Sequence, residues 1–334
     1  MTTTPPVLSI VTTVYNSADT LESFYERMSK SAASITADFE IVIVDDGSPD
    51  DSLAMARGLA ARDPRVVVVE LSRNFGHHKA LMTGLDFARG EICLFIDSDL
   101  EEPPELLPTF WTMLHQTDAD VIYGYQVLRG GNVVRRLTGG IAFWLFKALI
   151  PYDVPRNLIT LRLMRRSYVD SLLLHRERQT VIGGLWVITG YKQLGVPVEK
   201  EMRRRTTYGL RRRWSLLIDS ITSFSEVPLI GIFYLGMIIS LLAAAMGIWL
   251  LIRKAVSGVG VEGWVSVMLS VWFLGGLSIF CLGIIGIYLS KIFIETKQRP
   301  YTLVRAVYGG AADARTLGRR DDPRISVASD TGRR

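Results

Sequence analysis

Two stretches of this 334-residue chain carry no charged side chain: residues 227–252, 26 positions, and residues 263–290, 28 positions. A helix rises about 1.5 Å per residue, so either stretch can cross a hydrocarbon layer about 30 Å thick and still tilt. A buried core helix, the competing reading, is satisfied by about ten to fourteen apolar residues. These runs account for most of the mean hydropathy of +0.24. The pattern predicts a transmembrane hairpin with spans at about 227–252 and 264–290, joined by residues 253–262. Arg203, Arg204, Arg205, Arg211, Arg212 and Arg213 precede it, and Lys291, Lys297, Arg299 and Arg305 follow. The excess of base at both flanks places both ends of the hairpin, and both chain termini, on the cytoplasmic side of an inner membrane. Residues 1–6 are short and polar, so no signal peptide is expected.

The first third follows a different pattern. Apolar, β-branched runs at residues 7–14, 39–44, 66–71 and 92–96 alternate with helical stretches at 19–33, 53–62 and 79–88. Strands of four to eight residues alternating with longer helices make βαβ units around a parallel sheet. Ligands of such sheets bind beyond the carboxyl ends of the strands. Tyr15-Asn16-Ser17, Asp45-Asp46-Gly47-Ser48 and Asp97-Ser98-Asp99 all fall at that edge. Carboxylates there suit a hard divalent cation, which completes its shell with substrate phosphate. Asp46-Gly47-Ser48 also reads as a turn with a helix cap, and one residue can serve both purposes.

The residues carrying these signals resemble a known family. Val14-Tyr15-Asn16, Val44-Asp45-Asp46-Gly47-Ser48, Arg73-Asn74-Phe75-Gly76 and the run from Asp97 through Leu100-Glu101-Glu102-Pro103-Pro104 to Glu105 are similar to the catalytic domain of family 2 glycosyltransferases. With its hydrophobic tail, the chain resembles their polyprenyl-phosphate branch, which includes the dolichol-phosphate mannose synthases. The resemblance covers residues 7–308. It implies an α/β class, a Rossmann-like GT-A sheet, mixed and mostly parallel, flanked by helices, with membrane-interface helices and the C-terminal hairpin added. It also implies inverting transfer of a sugar from a nucleotide-diphosphate donor to a polyprenyl phosphate, for envelope glycan assembly.

The site residues follow from the same resemblance. Asp97 and Asp99 are the expected catalytic carboxylates, with Asp97, Asp99 and Glu101 holding Mg²⁺ or Mn²⁺. Tyr15, Ser17, Asp45, Asp46 and Ser98 are expected against the nucleotide sugar. A phosphate nucleophile needs docking cations more than a strong base, and Arg135, Arg136, Arg204 and Arg205 are the candidates for the lipid phosphate. Many relatives have an Asp where this chain has Thr160, and an Arg where it has Gln126. The Gly-Ser-Lys-Tyr element before their membrane segment is reduced here to Thr206-Thr207-Tyr208-Gly209.

Four regions result: 1–130 as catalytic core, 131–226 as acceptor side, 227–308 as hairpin and 309–334 as a disordered tail. Residues 135–150 combine Arg135, Arg136 and Lys147 with Phe143, Trp144 and Phe146, which suits a helix at the membrane interface and equally an ordinary core helix. Residues 214–225 are a second interface candidate. Cys93 and Cys281 read as packing residues. His77 and His78 sit at a helix start or in the donor pocket rather than on a metal. Gly231, Gly236, Gly275 and Gly276 could bring hairpins together as a homo-oligomer.

Two other functions stay open: a membrane transferase acting on a glycan, and a sugar-nucleotide-binding subunit with reduced catalysis. The +5 net charge does not mark a nucleic-acid module, since no aromatics interleave with the basic residues. A dehydrogenase is disfavoured because no Gly-x-Gly-x-x-Gly follows the first strand.

Overall fold

The computed structural model describes residues 5–126, 157–175, 182–199, 227–257, 263–309 and 325–327. Contacts divide the described residues into two compact units. One holds those up to 126, then 157–199 and those from 299 on; the other holds 227–257 and 263–298.

The first unit is built on a nine-stranded sheet. Its strands are β1 (Leu8–Val14), β2 (Phe39–Asp45), β3 (Val66–Leu71), β4 (Ile92–Phe95), β5 (Val121–Gln126), β6 (Leu158–Arg165), β7 (Gln193–Val198), β8 (Thr302–Tyr308) and β9 (Ile325–Val327). Their order is β7-β5-β6-β4-β1-β2-β3-β8-β9. Five neighbouring pairs run parallel and three antiparallel, which makes the sheet mixed and mostly parallel. Helices α1 (Ala18–Ala33), α2 (Ser52–Arg62), α3 (His77–Phe87) and α4 (Leu107–Gln116) connect the early strands, and α5 (Arg166–Leu173) and α6 (Ile182–Ile188) follow β6. Strands β1, β2 and β3 are buried along their whole length. That is why they read as continuous apolar runs rather than alternating ones. On one face, Leu21, Phe24 and Met28 of α1 join Phe110 and Leu114 of α4 over Ile10, Ile41 and Ile43.

The four leading strands lie where the apolar runs place them, within a residue or so at each end. The expected mix of directions is present, but which strands run antiparallel was not foreseen. β6 enters between β4 and β5, pairing Phe95 with Arg162 on one side and Tyr123 with Arg162 on the other. The expected 227–308 hairpin also extends too far: Thr302–Tyr308 is a strand of the sheet, antiparallel to β3. It is held there by Glu70, which accepts hydrogen bonds from Tyr308 Oη at 2.6 Å and Arg305 Nη1 at 3.2 Å. Within the expected tail, Ile325–Val327 pairs with β8. The rest of the tail, and the interface candidates at 135–150 and 214–225, lie outside the described residues.

In the second unit both uncharged runs are helical, as α7 (Val227–Ser257) and α8 (Trp264–Thr296). Among the described residues, Ser270–Thr296 is long and apolar enough to cross a membrane, with a mean hydropathy of 2.2. Their large side chains face outward: Phe233 is 65% exposed, Trp272 76% and Ile279 72%.

Candidate active site

The polar strand ends meet at one edge of the sheet. Register sets Val14 opposite Asp45, and the Ile96 N–H donates to Val11 O at 3.2 Å, which brings Asp97-Ser98-Asp99 beside the end of β1. Ser98, 4% exposed, donates to Thr13 O at 2.8 Å, and its hydroxyl lies 3.4 Å from that of Ser17. The Ser17 N–H in turn donates to Ser52 Oγ, which donates to Asp50 at 2.6 Å. Ser17 and Ser98, expected at one ligand, are therefore neighbours. Tyr15 is about half exposed beside them.

Asp45 and Asp46 are each 2% exposed, and they do different work. Asp46 accepts from the Phe75 N–H at 2.7 Å with one oxygen and from the Gly76 N–H at 3.0 Å with the other. Its carboxylate ties the Arg73-Asn74-Phe75-Gly76 loop to the end of β2. Asp45 accepts from the Ser48 N–H at 3.3 Å, closing the turn. Burial raises the pKa of both, and the hydrogen bonds from Ser48, and from Phe75 and Gly76, offset part of that rise. Gly47 is where these loops touch: its φ is +68°, and a Cβ there would lie 2.6 Å from Asn74 N. Only glycine fits that approach.

The acidic triplet turns sharply. Leu100 has φ +61° and is only 2% exposed. Left-handed backbone at a branched residue costs about 1–3 kcal/mol and persists where packing over-determines it. Burying Leu100 holds the turn and leaves Asp99 exposed, its Oδ1 accepting from the Glu101 N–H at 3.0 Å. Asp97 points the other way. Its Oδ1 is buried without a hydrogen-bond partner among the described residues, 3.4 Å from His77 Nε2. The other ring nitrogen of His77, Nδ1, lies 3.0 Å from Thr13 Oγ1. His77, the first residue of α3, thus bridges β1 and the triplet, a role its place in the sequence does not announce.

Among the described residues, no three His, Cys, Asp or Glu side chains gather as a metal-binding group. Asp97, Asp99 and Glu101 do not form a closed cage. An exposed carboxylate beside one with an unpartnered buried oxygen still fits a Mg²⁺-type ion, which takes one or two carboxylates and fills the rest with phosphate and water. Arg135, Arg136, Arg204 and Arg205 lie outside the described residues. Cys93 is buried, which pushes its thiol up to about 12 and leaves it inert; Cys281 is also a free thiol.

Next to the triplet lies a cavity of about 280 Å³ between α3, β6 and α6, with Thr160 in its wall. Beneath it, Arg162 is fully buried with its guanidinium carbon 3.2 Å from the ring centre of Trp186. Burial lowers the Arg162 pKa to about 10, against the raising effects of Tyr168, Tyr123 and Glu102. The sequence reading missed this arginine because it sits in an apolar strand.

The model of glycosyl transferase family 2 matches residues 9–173. A Mycobacterium tuberculosis protein described only as a glycosyltransferase is 47% identical over 302 residues, covering 90% of this chain and 88% of its own. The prophage bactoprenol glucosyl transferase homolog of Escherichia coli is 31% identical over 308 residues, covering 90% and 99%. Among solved structures, S. aureus TarS in complex with UDP-GlcNAc is 19% identical at a TM-score of 0.45, covering 65% of each chain. The chain belongs to glycosyl transferase family 2, and it is a glycosyltransferase.

Proposed function

We propose that this enzyme moves a sugar, with inversion, from a nucleotide-diphosphate donor to a polyprenyl phosphate at the inner face of a membrane. The observation that carries the reading is the meeting of Ser17, Ser98, Asp97 and Asp99 at one sheet edge in a chain similar over 90% of its length to a bactoprenol glucosyl transferase homolog. The donor diphosphate lies against Asp97 and Asp99, its nucleoside toward Tyr15, Ser17 and the β2 end. Asp45 and Asp46 support that end through the turns they close, which makes their contribution positional. Asp97 and Asp99, with Glu101 adjacent, would hold a Mg²⁺ or Mn²⁺ ion, which when bound would supply Lewis-acid stabilisation of the departing charge.

In the transfer, an oxygen of the acceptor phosphate forms a bond to the anomeric carbon from the face opposite the leaving group. The bond from that carbon to the diphosphate breaks, and the nucleoside diphosphate leaves with the electron pair. A phosphomonoester is already anionic near neutrality, so no side chain has to remove a proton. Thr160, in place of the Asp of many relatives, is compatible with that chemistry. Arg135, Arg136, Arg204 and Arg205 are proposed to dock the lipid phosphate.

Membrane insertion rests on α7 and α8 acting as a pair. β8 follows α8 and is a strand of the same sheet as β1 to β7. A sheet cannot be assembled across a bilayer, so a chain that leaves through α7 and returns to β8 makes an even number of crossings. That supports a hairpin with both flanks on the catalytic side.

Incubating the full-length protein in detergent with short polyprenyl phosphate, Mn²⁺ or Mg²⁺, and UDP-glucose, GDP-mannose or dTDP-rhamnose tests the reading. Sugar appearing on the lipid phosphate is expected, and Asp99→Ala should reduce it by at least a hundredfold while the protein stays folded. Near-normal turnover by Asp99→Ala would remove the metal assignment, and product on a glycan instead would move the acceptor.

A further inference from the structure

We propose that Asp50 is a positioning residue for the transfer reaction: acting through Ser52, its carboxylate fixes the backbone at Ser17 and with it the Tyr15-Asn16-Ser17 turn. The proposal rests on the donor reading above, in which that turn receives the nucleoside.

Asp50 and Asp51 are adjacent acids ahead of α2, and the sequence does not tell them apart. The structure does. Asp51 is exposed and stands at the N-cap position of α2 without a side-chain capping bond. Asp50 engages its two oxygens on two different helices. Its Oδ1 accepts from Ser52 Oγ at 2.6 Å and from the Ser52 N–H at 3.3 Å, and its Oδ2 accepts from the Ala18 N–H at 3.1 Å. Ser52 opens α2 and Ala18 opens α1, so one carboxylate joins the starts of helices from successive βα units. Ser17, the N-cap of α1, makes no capping bond with its own side chain. Asp50 supplies from the neighbouring loop the acceptor that the local sequence does not.

The hydrogen bonds continue toward the ligand side. Ser52 is fully buried and gives its hydroxyl proton to Asp50, which leaves its oxygen to accept from the Ser17 N–H at 2.9 Å. Without the carboxylate that hydroxyl can rotate, and the Ser17 N–H loses an aligned acceptor. Ser17 Oγ accepts from the Tyr15 N–H at 3.2 Å and stands 3.4 Å from the Ser98 hydroxyl. Asn16, between Tyr15 and Ser17, has φ +53°. Asparagine tolerates that left-handed conformation but does not enforce it, so the turn depends on how its far end is anchored. Burial of Asp50 opposes its charge, but the hydrogen bonds from Ser52 and the Ala18 N–H outweigh it and hold the carboxyl below its usual range. An ionised acceptor makes the stronger bonds. With both oxygens engaged by protein N–H and O–H groups, Asp50 acts on the sugar donor through Ser17 rather than by contact.

Asp50→Asn keeps the shape and one acceptor oxygen but sets an amide NH2 against one of the helix starts. Titration calorimetry with UDP, GDP and dTDP in the presence of Mn²⁺ should show the nucleotide that wild type binds held about tenfold more weakly, the loss of one charge-assisted hydrogen bond. The KM of the matching sugar nucleotide should rise by the same factor, with kcat and the KM for polyprenyl phosphate within twofold of wild type. Ser52→Ala, which leaves Asp50 on the Ala18 N–H, should reproduce most of this defect. The double variant should be no worse than Asp50→Asn alone, because both act along one path. Asp51→Asn, which removes a charge at the same helix start, should bind the nucleotide as wild type does. Nucleotide affinity within twofold of wild type in both Asp50→Asn and Ser52→Ala would overturn the proposal. So would additive losses in the double variant, or equal losses in the sugar-nucleotide and lipid constants, which general loosening of the fold produces. Should Asp50→Asn fail to fold, Ser52→Ala decides alone by its nucleotide affinity and its two KM values. Wild-type protein that binds none of the three nucleotides would instead overturn the donor reading beneath it.

Discussion

Asp45 and Asp46 show how neighbouring residues of one type take different roles. The sequence marks both as strand-end carboxylates facing a ligand. The structure gives Asp46 two backbone N–H groups of the next loop and Asp45 the turn that follows. Burial raises both above the ordinary 3.8. A raised folded pKa means the folded state holds its proton more tightly than the unfolded chain. The stabilising contribution of such a group is complete below the unfolded value and is lost as pH rises through the raised one. Asp45→Asn keeps an acceptor for the Ser48 N–H and removes the titration. Its stability relative to wild type should therefore rise between pH 4 and pH 7.5, as read by urea denaturation at each pH. A constant difference across that range would show that Asp45 does not feel its burial. Leu100 and Gly47 were legible only as loop residues, because a positive φ is decided by what packs around the turn.

Elements followed the sequence closely where one short-range pattern was enough. The buried strands β1 to β4 and helices α1 to α3 stand where apolar runs and their polar ends put them. β8 was misread because its seven residues follow a long apolar helix and carry no signal of their partner. Its place depends on Glu70, 235 positions earlier than Arg305 in the chain. Charge-assisted hydrogen bonds of this kind contribute about 1.5–3 kcal/mol each. Glu70→Gln should loosen this edge alone. Amide hydrogen exchange in 302–308 should speed up by at least tenfold, with protection in β1 and β2 unchanged. Equal loss throughout the sheet would mean that β8 is part of the core rather than a strap on its edge.

For the whole molecule, an even number of crossings would put the loop after α7 and the end of the chain on opposite sides of the membrane. With Cys93 and Cys281 replaced by Ala, a single cysteine at position 260 should react with an impermeant maleimide from outside intact cells. A cysteine at position 326 should react only after the membrane is opened. Labelling of both from one side would exclude a transmembrane hairpin. Cβ positions at Gly231, Gly236, Gly275 and Gly276 meet nothing within 4 Å, which leaves these backbones open to close approach by another helix, as the proposed oligomer requires.

Periodicity and two uncharged runs were enough to give the leading half of the sheet and the two long helices, and the strand-end motifs carried the family resemblance that implied the glycosyltransferase class, because each is written in neighbouring residues. Distant packing decided the rest: β6 inserted beside β4, β8 on the edge of β3, His77 between Thr13 and Asp97, and the cavity over Arg162 and Trp186. These depend on contacts between residues tens to hundreds of positions apart, and no local pattern encodes which of them will meet.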